Sequence, residues 1–263
     1  MPFASVNGID LYYEIHGSGP ALVMAHGGGS NHINWWQQVP AFAAEHTVVT
    51  FDHRGFGLST DDGKGAAAYV DDLDALITHL GIDEVALLGQ SMGGYSVTGY
   101  ACRHPERVNA LILSSSPAGL VPLGPLPPAV SAALANAGSS YPELAKAMLH
   151  WDAFPERHPE LCFLFEQIGS INYRVNIAGL GLRDTRFDIA TLVRHEIPML
   201  LLNGTDDKEV CKAMRSIADQ VPGARLEFAE DAGHLLFFER PDFYNRHVLD
   251  FIREHLPAKP AVD

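Results

Sequence analysis

The segment from Val85 to Gly94 restricts the possible folds of this 263-residue chain more than any other. An apolar run at 85–88 is followed by Gly-Gln-Ser-Met-Gly, in which the serine is Ser91. This pattern predicts a short buried strand, an abrupt turn and then a helix. Such a turn holds its serine in a strained conformation with the hydroxyl raised above the sheet, and side chains at the two flanking glycines would clash. We therefore predict that Ser91 is a nucleophile.

The rest of the chain predicts more strands that alternate with helices. An Asn7-Gly8 pair between two strand patterns, 3–6 and 9–15, predicts an antiparallel hairpin at the sheet edge. Further runs rich in apolar residues predict strands, and helical patterns follow most of them. These runs cover residues 21–25, 47–51, 85–90, 108–113, 197–202 and 224–228. The alternation predicts an α/β fold with a doubly wound, mostly parallel eight-stranded sheet, whose ligands bind beyond the carboxyl ends of the strands.

Residues 118–194 interrupt the alternation. The segment opens with a proline-rich stretch and continues with short helical patterns at 129–137, 142–150, 159–168 and 189–195. We predict that it forms a helical lid inserted after strand 6, and that residues 1–117 and 195–263 form the core. Its apolar side chains are candidates for lining a pocket. We predict that Trp151 and Phe154 of this segment bind substrate, together with Leu235 of the core.

Composition excludes several classes of partner. The chain has 18 Lys and Arg against 32 Asp and Glu, a formal net charge of −14, which argues against nucleic acid and anionic membranes. Cys102, Cys162 and Cys211 are too few and too scattered for a disulfide framework or a zinc site. We see no signal peptide and no run long enough to span a membrane. The expectation is a cytoplasmic monomer or homodimer that acts on a small molecule.

A serine nucleophile needs a general base. His234 is the favoured base because it follows the last predicted strand, in a loop with Gly233 before it. His26 and His53 also follow predicted strands. We expect His26 to support its own loop and His53 to belong to a charged loop that fixes its own turns, so both are weaker candidates.

The base in turn needs an acid that orients it. Asp206 and Asp207 follow the penultimate predicted strand. We favour Asp207, three residues past Gly204, as the acid, and Asp206 as a supporting or loop-capping residue. Asp231 is predicted to form a turn.

A glycine-rich loop, His26-Gly27-Gly28-Gly29, follows the strand at 21–25. Backbone amides in such a loop can approach a substrate oxygen closely. With the amide of Met92 they would form an oxyanion hole. Gly28 is the favoured donor, and Gly27 and Gly29 remain alternatives.

Together these segments resemble the α/β-hydrolase superfamily over nearly the full length outside the lid. The motifs that carry the resemblance are His26–Gly29, Phe51–Ser59, Leu88–Gly94, Gly204–Asp207 and Ala232–His234. The order serine, acid, histidine is the one this fold uses. Within the superfamily the chain resembles small carboxylesterases and enol-lactonases. The resemblance implies a serine hydrolase that cleaves a small, largely apolar carboxylic ester or lactone through an acyl-enzyme, with no metal or organic cofactor.

The resemblance leaves other activities open. The triple glycine is also similar to hydrolases that cleave carbon–carbon bonds, although those commonly carry a tryptophan shortly after the histidine, where this chain has Leu235–Phe238. Serine at 91 differs from the aspartate nucleophile of haloalkane dehalogenases. The same scaffold hosts lyases that use serine and histidine, and small-molecule receptors with slow turnover. These remain alternatives because a fold does not determine a substrate.

Overall fold

A computed structural model describes residues 2–124, 154–172, 182 and 185–256 of the chain. The strands are β1 (Phe3–Val6), β2 (Ile9–His16), β3 (Ala21–Ala25), β4 (Thr47–Phe51), β5 (Val85–Gln90), β6 (Val108–Ser114), β7 (Met199–Gly204) and β8 (Arg225–Ala229). They form one sheet in the order β1-β2-β4-β3-β5-β6-β7-β8. The pairs β1–β2 and β2–β4 are antiparallel, and the remaining pairs are parallel. The predicted α/β class with an eight-stranded, mostly parallel sheet is confirmed.

Helices cover both faces of this sheet. They are α1 (Val39–Phe42), α2 (Tyr69–His79), α3 (Gly93–Arg103), α4 (Phe154–Arg157), α5 (Pro159–Gly169), α6 (Ile189–Arg194), α7 (Lys208–Ala218), α8 (Leu236–Glu239) and α9 (Pro241–His255). Short 3-10 turns span His32–Trp35, Gly65–Ala68, Pro105–Arg107 and Ser170–Asn172. The predicted hairpin is also present, and its turn residues Asn7 and Gly8 have φ of 49° and 81°, as a tight two-residue turn requires.

Two apolar cores result from the alternation of side chains along the strands. On one face, Leu87, Leu111 and Leu201 pack in a cluster that includes residues of α2, α3 and α7. Their neighbours Leu88 and Ile112 belong to the opposite cluster, with residues of α1, α8 and α9. Burial on both faces explains why these strands are continuous apolar runs in the sequence.

The apolar pattern over residues 33–45, with a proline near its middle, predicts a single helix, and this prediction is wrong. The structure instead has the 3-10 turn His32–Trp35 and, after a break, the four-residue α1. Two local features explain the division. The side chain of Asn31 accepts a hydrogen bond from the Ile33 amide and caps the first turn. Pro40 stands in the first turn of α1, where its missing N–H is tolerated, whereas it would disrupt the interior of a longer helix.

A helical segment lies between β6 and β7, as predicted. The patterns at 159–168 and 189–195 correspond to α5 and α6, whereas those at 129–137 and 142–150 lie outside the described residues. Asn31 Nδ2 donates to the Ile168 carbonyl at 2.8 Å, and Asn172 Nδ2 donates to the Ser30 carbonyl at 2.9 Å. These bonds fasten the segment beside the glycine-rich loop after β3. The division into a core of 1–117 and 195–263 and a lid of 118–194 remains a prediction.

Across the described ranges, we find no helix with both the length and the apolar character that crossing a bilayer would need.

Candidate active site

Ser91 lies in a strained turn between β5 and α3. Its φ is 48°, a left-handed conformation that is uncommon for a residue with a side chain. The Ser91 amide donates to the Ser114 carbonyl at 2.9 Å, which holds the turn at the end of β6. A Cβ on Gly89 would lie 2.7 Å from the Gly93 carbonyl oxygen, and one on Gly93 would lie 2.2 Å from the Ala25 carbonyl oxygen. The glycines therefore stand where no side chain fits, as the sequence pattern predicts.

A chain of hydrogen bonds joins Ser91 to His234 and Asp207. The Ser91 hydroxyl lies 3.0 Å from His234 Nε2, and His234 Nδ1 lies 2.6 Å from Asp207 Oδ2. A carboxylate only accepts hydrogen bonds, so Nδ1–H donates to Asp207 and leaves Nε2 able to accept from the serine. The Asp207 side chain is fully buried and that of His234 is 8% exposed. The structure thus brings together the three side chains predicted from sequence, in the predicted order of contact.

The loops after β7 and β8 position the acid and the histidine. Thr205 N–H donates to the Ala229 carbonyl at 2.9 Å, and Asp206 N–H donates to the Ala232 carbonyl at 3.0 Å. Asp206 Oδ2 accepts from Arg157 Nη1 at 2.6 Å, so this carboxylate is engaged away from the histidine. Asp231 has φ of 53°, which agrees with its predicted role in a turn. The geometry supports Asp207 over Asp206 as the acid.

His26 supports the glycine-rich loop, as the sequence predicts. Its Nδ1–H donates to the Gly27 carbonyl at 2.8 Å, and its Nε2 accepts from the His53 amide at 3.0 Å. Burial away from water lowers the pKa of His26 to about 4. Burial likewise lowers the pKa of His53 well below its usual range, and His53 Nε2 lies 2.9 Å from Ser96 Oγ. Both rings are therefore neutral near pH 7. Their ring nitrogens contact residues outside the turn that carries Ser91.

The charged loop after β4 also fixes its own turns, as predicted. Asp52 accepts from the Leu58 amide at 2.8 Å and from the His32 amide at 2.7 Å. Arg54 is buried, and its Nε and Nη2 donate to the two carboxylate oxygens of Asp72 at 2.8 and 2.7 Å. These contacts tie the loop to itself and to neighbouring elements.

A cavity opens beside Ser91. It is lined by Gly28, Gly29, Gln90, Ser91, Phe165, His234 and Leu235. Of the predicted oxyanion donors, Gly28 lies in this lining and Met92 lies at the N-terminus of α3, where the helix dipole favours negative charge. Gly29 also lines the cavity, whereas Gly27 is not among the described residues that line it.

The three residues predicted to bind substrate have different positions. Leu235 lines the cavity. Phe154 is 1% exposed and packs in the same apolar cluster as Leu88 and Ile112. Its contact with substrate remains a prediction. Trp151 lies outside the described residues.

The sequence assigns no particular role in the site to Gln90 and Ser116, and it offers Phe165 only as one of several apolar side chains that could line a pocket. Phe165 of α5 and Gln90 line the cavity. Ser116 donates from Oγ to the Ser91 carbonyl at 2.7 Å and accepts from the Ala118 amide at 3.0 Å. Its position two residues beyond β6, at the carboxyl edge of the sheet, is the signal that could have identified it.

The described ranges contain no group of three or more His, Cys, Asp or Glu side chains arranged to hold a metal ion.

Comparison with known proteins agrees with this architecture. The family model described as alpha/beta hydrolase fold matches residues 20–241. The chain belongs to the α/β-hydrolase family.

Three similar proteins are named for three different hydrolytic activities. A proline iminopeptidase from Lactobacillus helveticus is 29% identical, with 97% of each chain covered. The solved structure of a thermophilic esterase from Thermogutta terrifontis has a TM-score of 0.81 and 26% identity, with 97% of each chain covered. That of an enol-lactonase from Burkholderia xenovorans LB400 has a TM-score of 0.80 and 25% identity, over 95% of this chain and 99% of the other. The two solved structures support placing this α/β-hydrolase in the esterase and lactonase branch.

Proposed function

We propose that this α/β-hydrolase is a serine hydrolase that cleaves a small, largely apolar carboxylic ester or lactone through an acyl-enzyme. One observation carries the proposal: the hydrogen-bonded series Ser91, His234 and Asp207 on a strained turn that opens into a cavity. Each member has the role that acyl transfer requires. The serine is a nucleophile, the imidazole accepts its proton and the carboxylate orients the imidazole.

The reaction follows from these positions. His234 Nε2 takes the Ser91 proton as Oγ attacks the substrate carbonyl carbon, and Asp207 stabilises the imidazolium that forms. The developing oxyanion is stabilised by amides of Gly28 and Met92. His234 then returns the proton to the leaving oxygen, and the acyl group remains on Ser91. Water then adds to the acyl carbon as His234 takes one of its protons. The bond between the acyl carbon and Ser91 Oγ breaks, His234 returns the proton to Oγ, and the acid is released. In a lactone the leaving oxygen belongs to the same molecule, so one hydroxy or keto acid results.

The cavity supports a compact apolar acyl group. Phe165 and Leu235 contribute apolar side chains, and Gly28 and Gly29 leave the backbone accessible. Among the lining residues there is no charged side chain besides the titratable His234. An apolar lining with few polar groups is typical of sites in which hydrophobic contact determines fit. The esterase and the enol-lactonase that the chain is similar to support this substrate class.

The first experiment measures turnover of p-nitrophenyl acetate and butyrate and of a six-membered enol lactone. Ser91→Ala should lower kcat on the order of 10⁴-fold or more while thermal unfolding stays close to wild type. A fluorophosphonate probe should label the wild type and fail to label Ser91→Ala. Wild-type turnover by Ser91→Ala would refute the proposal.

Other outcomes would identify a different activity on the same scaffold. Labelling without turnover, together with a ligand-dependent thermal shift, would indicate a receptor. Rapid loss of a cyanohydrin or β-diketone with little ester hydrolysis would indicate a lyase or a carbon–carbon hydrolase. Preferential cleavage of proline p-nitroanilide would indicate a peptidase, which is the activity named for the Lactobacillus relative.

A further inference from the structure

One arginine of the helical segment between β6 and β7 binds the loop that carries the acid and the short helix α8 that follows the histidine. Arg157 is the last residue of α4. Its Nη1 donates to Asp206 Oδ2 at 2.6 Å, and its Nη2 and Nε donate to Glu239 Oε2 at 2.7 and 3.2 Å. Asp206 directly precedes Asp207, and Glu239 lies five positions after His234. A single guanidinium therefore connects the loop of Asp207 with the helix that follows His234, and the side chains of Asp207 and His234 lie 2.6 Å apart.

Glu239 transmits this contact to the backbone next to the histidine. Its side chain is fully buried, and its other oxygen, Oε1, accepts from the Gly233 amide at 2.8 Å. A buried carboxylate remains ionised only with compensating partners, and Arg157 supplies a full positive charge. His158 Nε2 lies 3.9 Å from the same oxygen, Oε2, that Arg157 contacts. The carboxylate thus joins a cation on the helical segment to the residue immediately before His234.

We propose that Arg157 is a positioning residue for the His234–Asp207 pair. It acts by fixing the Glu239–Gly233 bond on one side and Asp206 on the other, and it is not among the described residues that line the cavity beside Ser91. The inference rests on the proposed function, because positioning matters only if His234 acts as the base. The planar guanidinium of arginine can donate hydrogen bonds to two carboxylates at once. The single ammonium of a lysine side chain is less suited to this, because it is a point charge on a flexible chain. Displacing reacting groups by about 1 Å can cost on the order of 10²-fold in rate.

The experiment compares Arg157→Ala and Arg157→Lys with the wild type on p-nitrophenyl butyrate. Arg157→Ala should lower kcat by about 10- to 100-fold with little change in KM. The kcat of Arg157→Lys should lie between those of the wild type and Arg157→Ala. Millimolar guanidinium, far below the molar range that unfolds proteins, should restore part of the kcat of Arg157→Ala, because the site is 25% exposed and can admit the free cation. Equimolar sodium chloride should not. The rate of fluorophosphonate labelling should follow kcat.

Arg225→Ala is the matched control. Arg225 is the first residue of β8, at the opposite end of that strand from the loop that carries His234, and it pairs with Glu254. Its loss therefore removes an arginine–carboxylate pair without removing any contact of Arg157. It should keep wild-type kcat and show no response to guanidinium. Glu239→Gln should lower kcat because its amide oxygen can still accept from Gly233 but no longer carries the charge that binds Arg157. Guanidinium should not restore this variant, because Arg157 is still present and leaves no vacant site for the free cation. If Arg157→Ala does not fold, Arg157→Lys and Glu239→Gln provide the same test.

The proposal is overturned if Arg157→Ala keeps wild-type kcat, if its loss is confined to KM, or if neither guanidinium nor lysine restores any activity. These results are distinguishable from failure of the proposed function. Should Ser91→Ala retain turnover, the nucleophile is wrong whatever Arg157 does. Should Ser91→Ala be inactive while Arg157→Ala remains fully active, only the positioning role fails.

Discussion

The hydroxyl of Ser116 donates a 2.7 Å hydrogen bond to the carbonyl oxygen of Ser91, and the same oxygen of Ser116 accepts from the Ala118 amide. The loop after β6 is thereby fastened to the strained turn that carries the proposed nucleophile. The Ser91 amide also donates to the carbonyl of Ser114, the last residue of β6, so both backbone polar groups of Ser91 are bound to β6 or to the loop that follows it. The unusual φ of Ser91 is thus maintained by contacts beyond its own strand and helix.

Removing this bond should loosen the turn. We expect Ser116→Ala to lower the free energy of unfolding by about 1 kcal/mol, because the Ser91 carbonyl loses one of its two donors and keeps only the Gly94 amide. The kcat for ester hydrolysis should fall with it. Ser115→Ala is the control, since Ser115 Oγ is buried without a hydrogen-bond partner in the part of the chain that the structure describes. Urea unfolding and steady-state kinetics measure both effects, and equal behaviour of the two variants would contradict the role of Ser116.

The two adjacent aspartates should differ in their effect on catalysis. Asp207→Asn should lower kcat by about 10⁴-fold, since an amide facing Nδ1 favours the tautomer that cannot accept the serine proton. Asp206→Asn should cost much less, because Asp206 binds Arg157 rather than His234. Steady-state kinetics on the same ester, with thermal unfolding to exclude misfolding, compare the pair. A larger loss for Asp206→Asn would show that the acid is assigned to the wrong residue.

The identity of the side chain at 165 should set the acceptable acyl length. Phe165→Leu enlarges the cavity beside Ser91, so kcat/KM for p-nitrophenyl hexanoate relative to acetate should rise by about 10-fold. Phe154→Leu is a matched exchange of a buried phenylalanine in the same apolar cluster. An equal shift with Phe154→Leu would support the sequence-based prediction that Phe154 contacts substrate. No shift with Phe165→Leu would exclude Phe165 as a determinant of acyl length.

Much of the fold could be predicted because its signals are local. The strands are short apolar runs, and the serine turn is marked by glycines that a close backbone approach requires. The division of residues 33–45 was not predicted, because helical spacing says little about a proline such as Pro40 until the start of the helix is known. Local signals therefore determine which elements exist better than where they begin.

The site was only partly predictable, for a related reason. Ser91, Asp207 and His234 each follow a strand, and parallel strands bring their carboxyl ends to one edge. Arg157 and Glu239 are 82 positions apart and neither lies in a recognisable motif, so their contact is visible only in the folded chain. Phe165 was recognisable as apolar, but helical spacing does not tell whether such a side chain packs in the core or lines a cavity.

Burial of His26 should make stability depend on pH. The ordinary histidine pKa of about 6.5 applies to the unfolded chain, and the folded value is about 4. Between these values the unfolded state binds more protons, so stability is complete above pH 6.5 and is lost as the pH falls toward 4. His26 alone should contribute a loss of about 2 kcal/mol between pH 7 and pH 5.

Urea unfolding of the wild type and of His26→Asn at pH 7, 6 and 5 measures this contribution. The variant is expected to be less stable at pH 7, because the Gly27 carbonyl and the His53 amide lose their imidazole partner. Its stability should nevertheless fall less steeply with acid, since one buried neutral histidine no longer has to be protonated on unfolding. Some slope should persist, because burial lowers the pKa of His53 in the same direction. Parallel curves for the two proteins would mean that His26 does not resist protonation in the folded state.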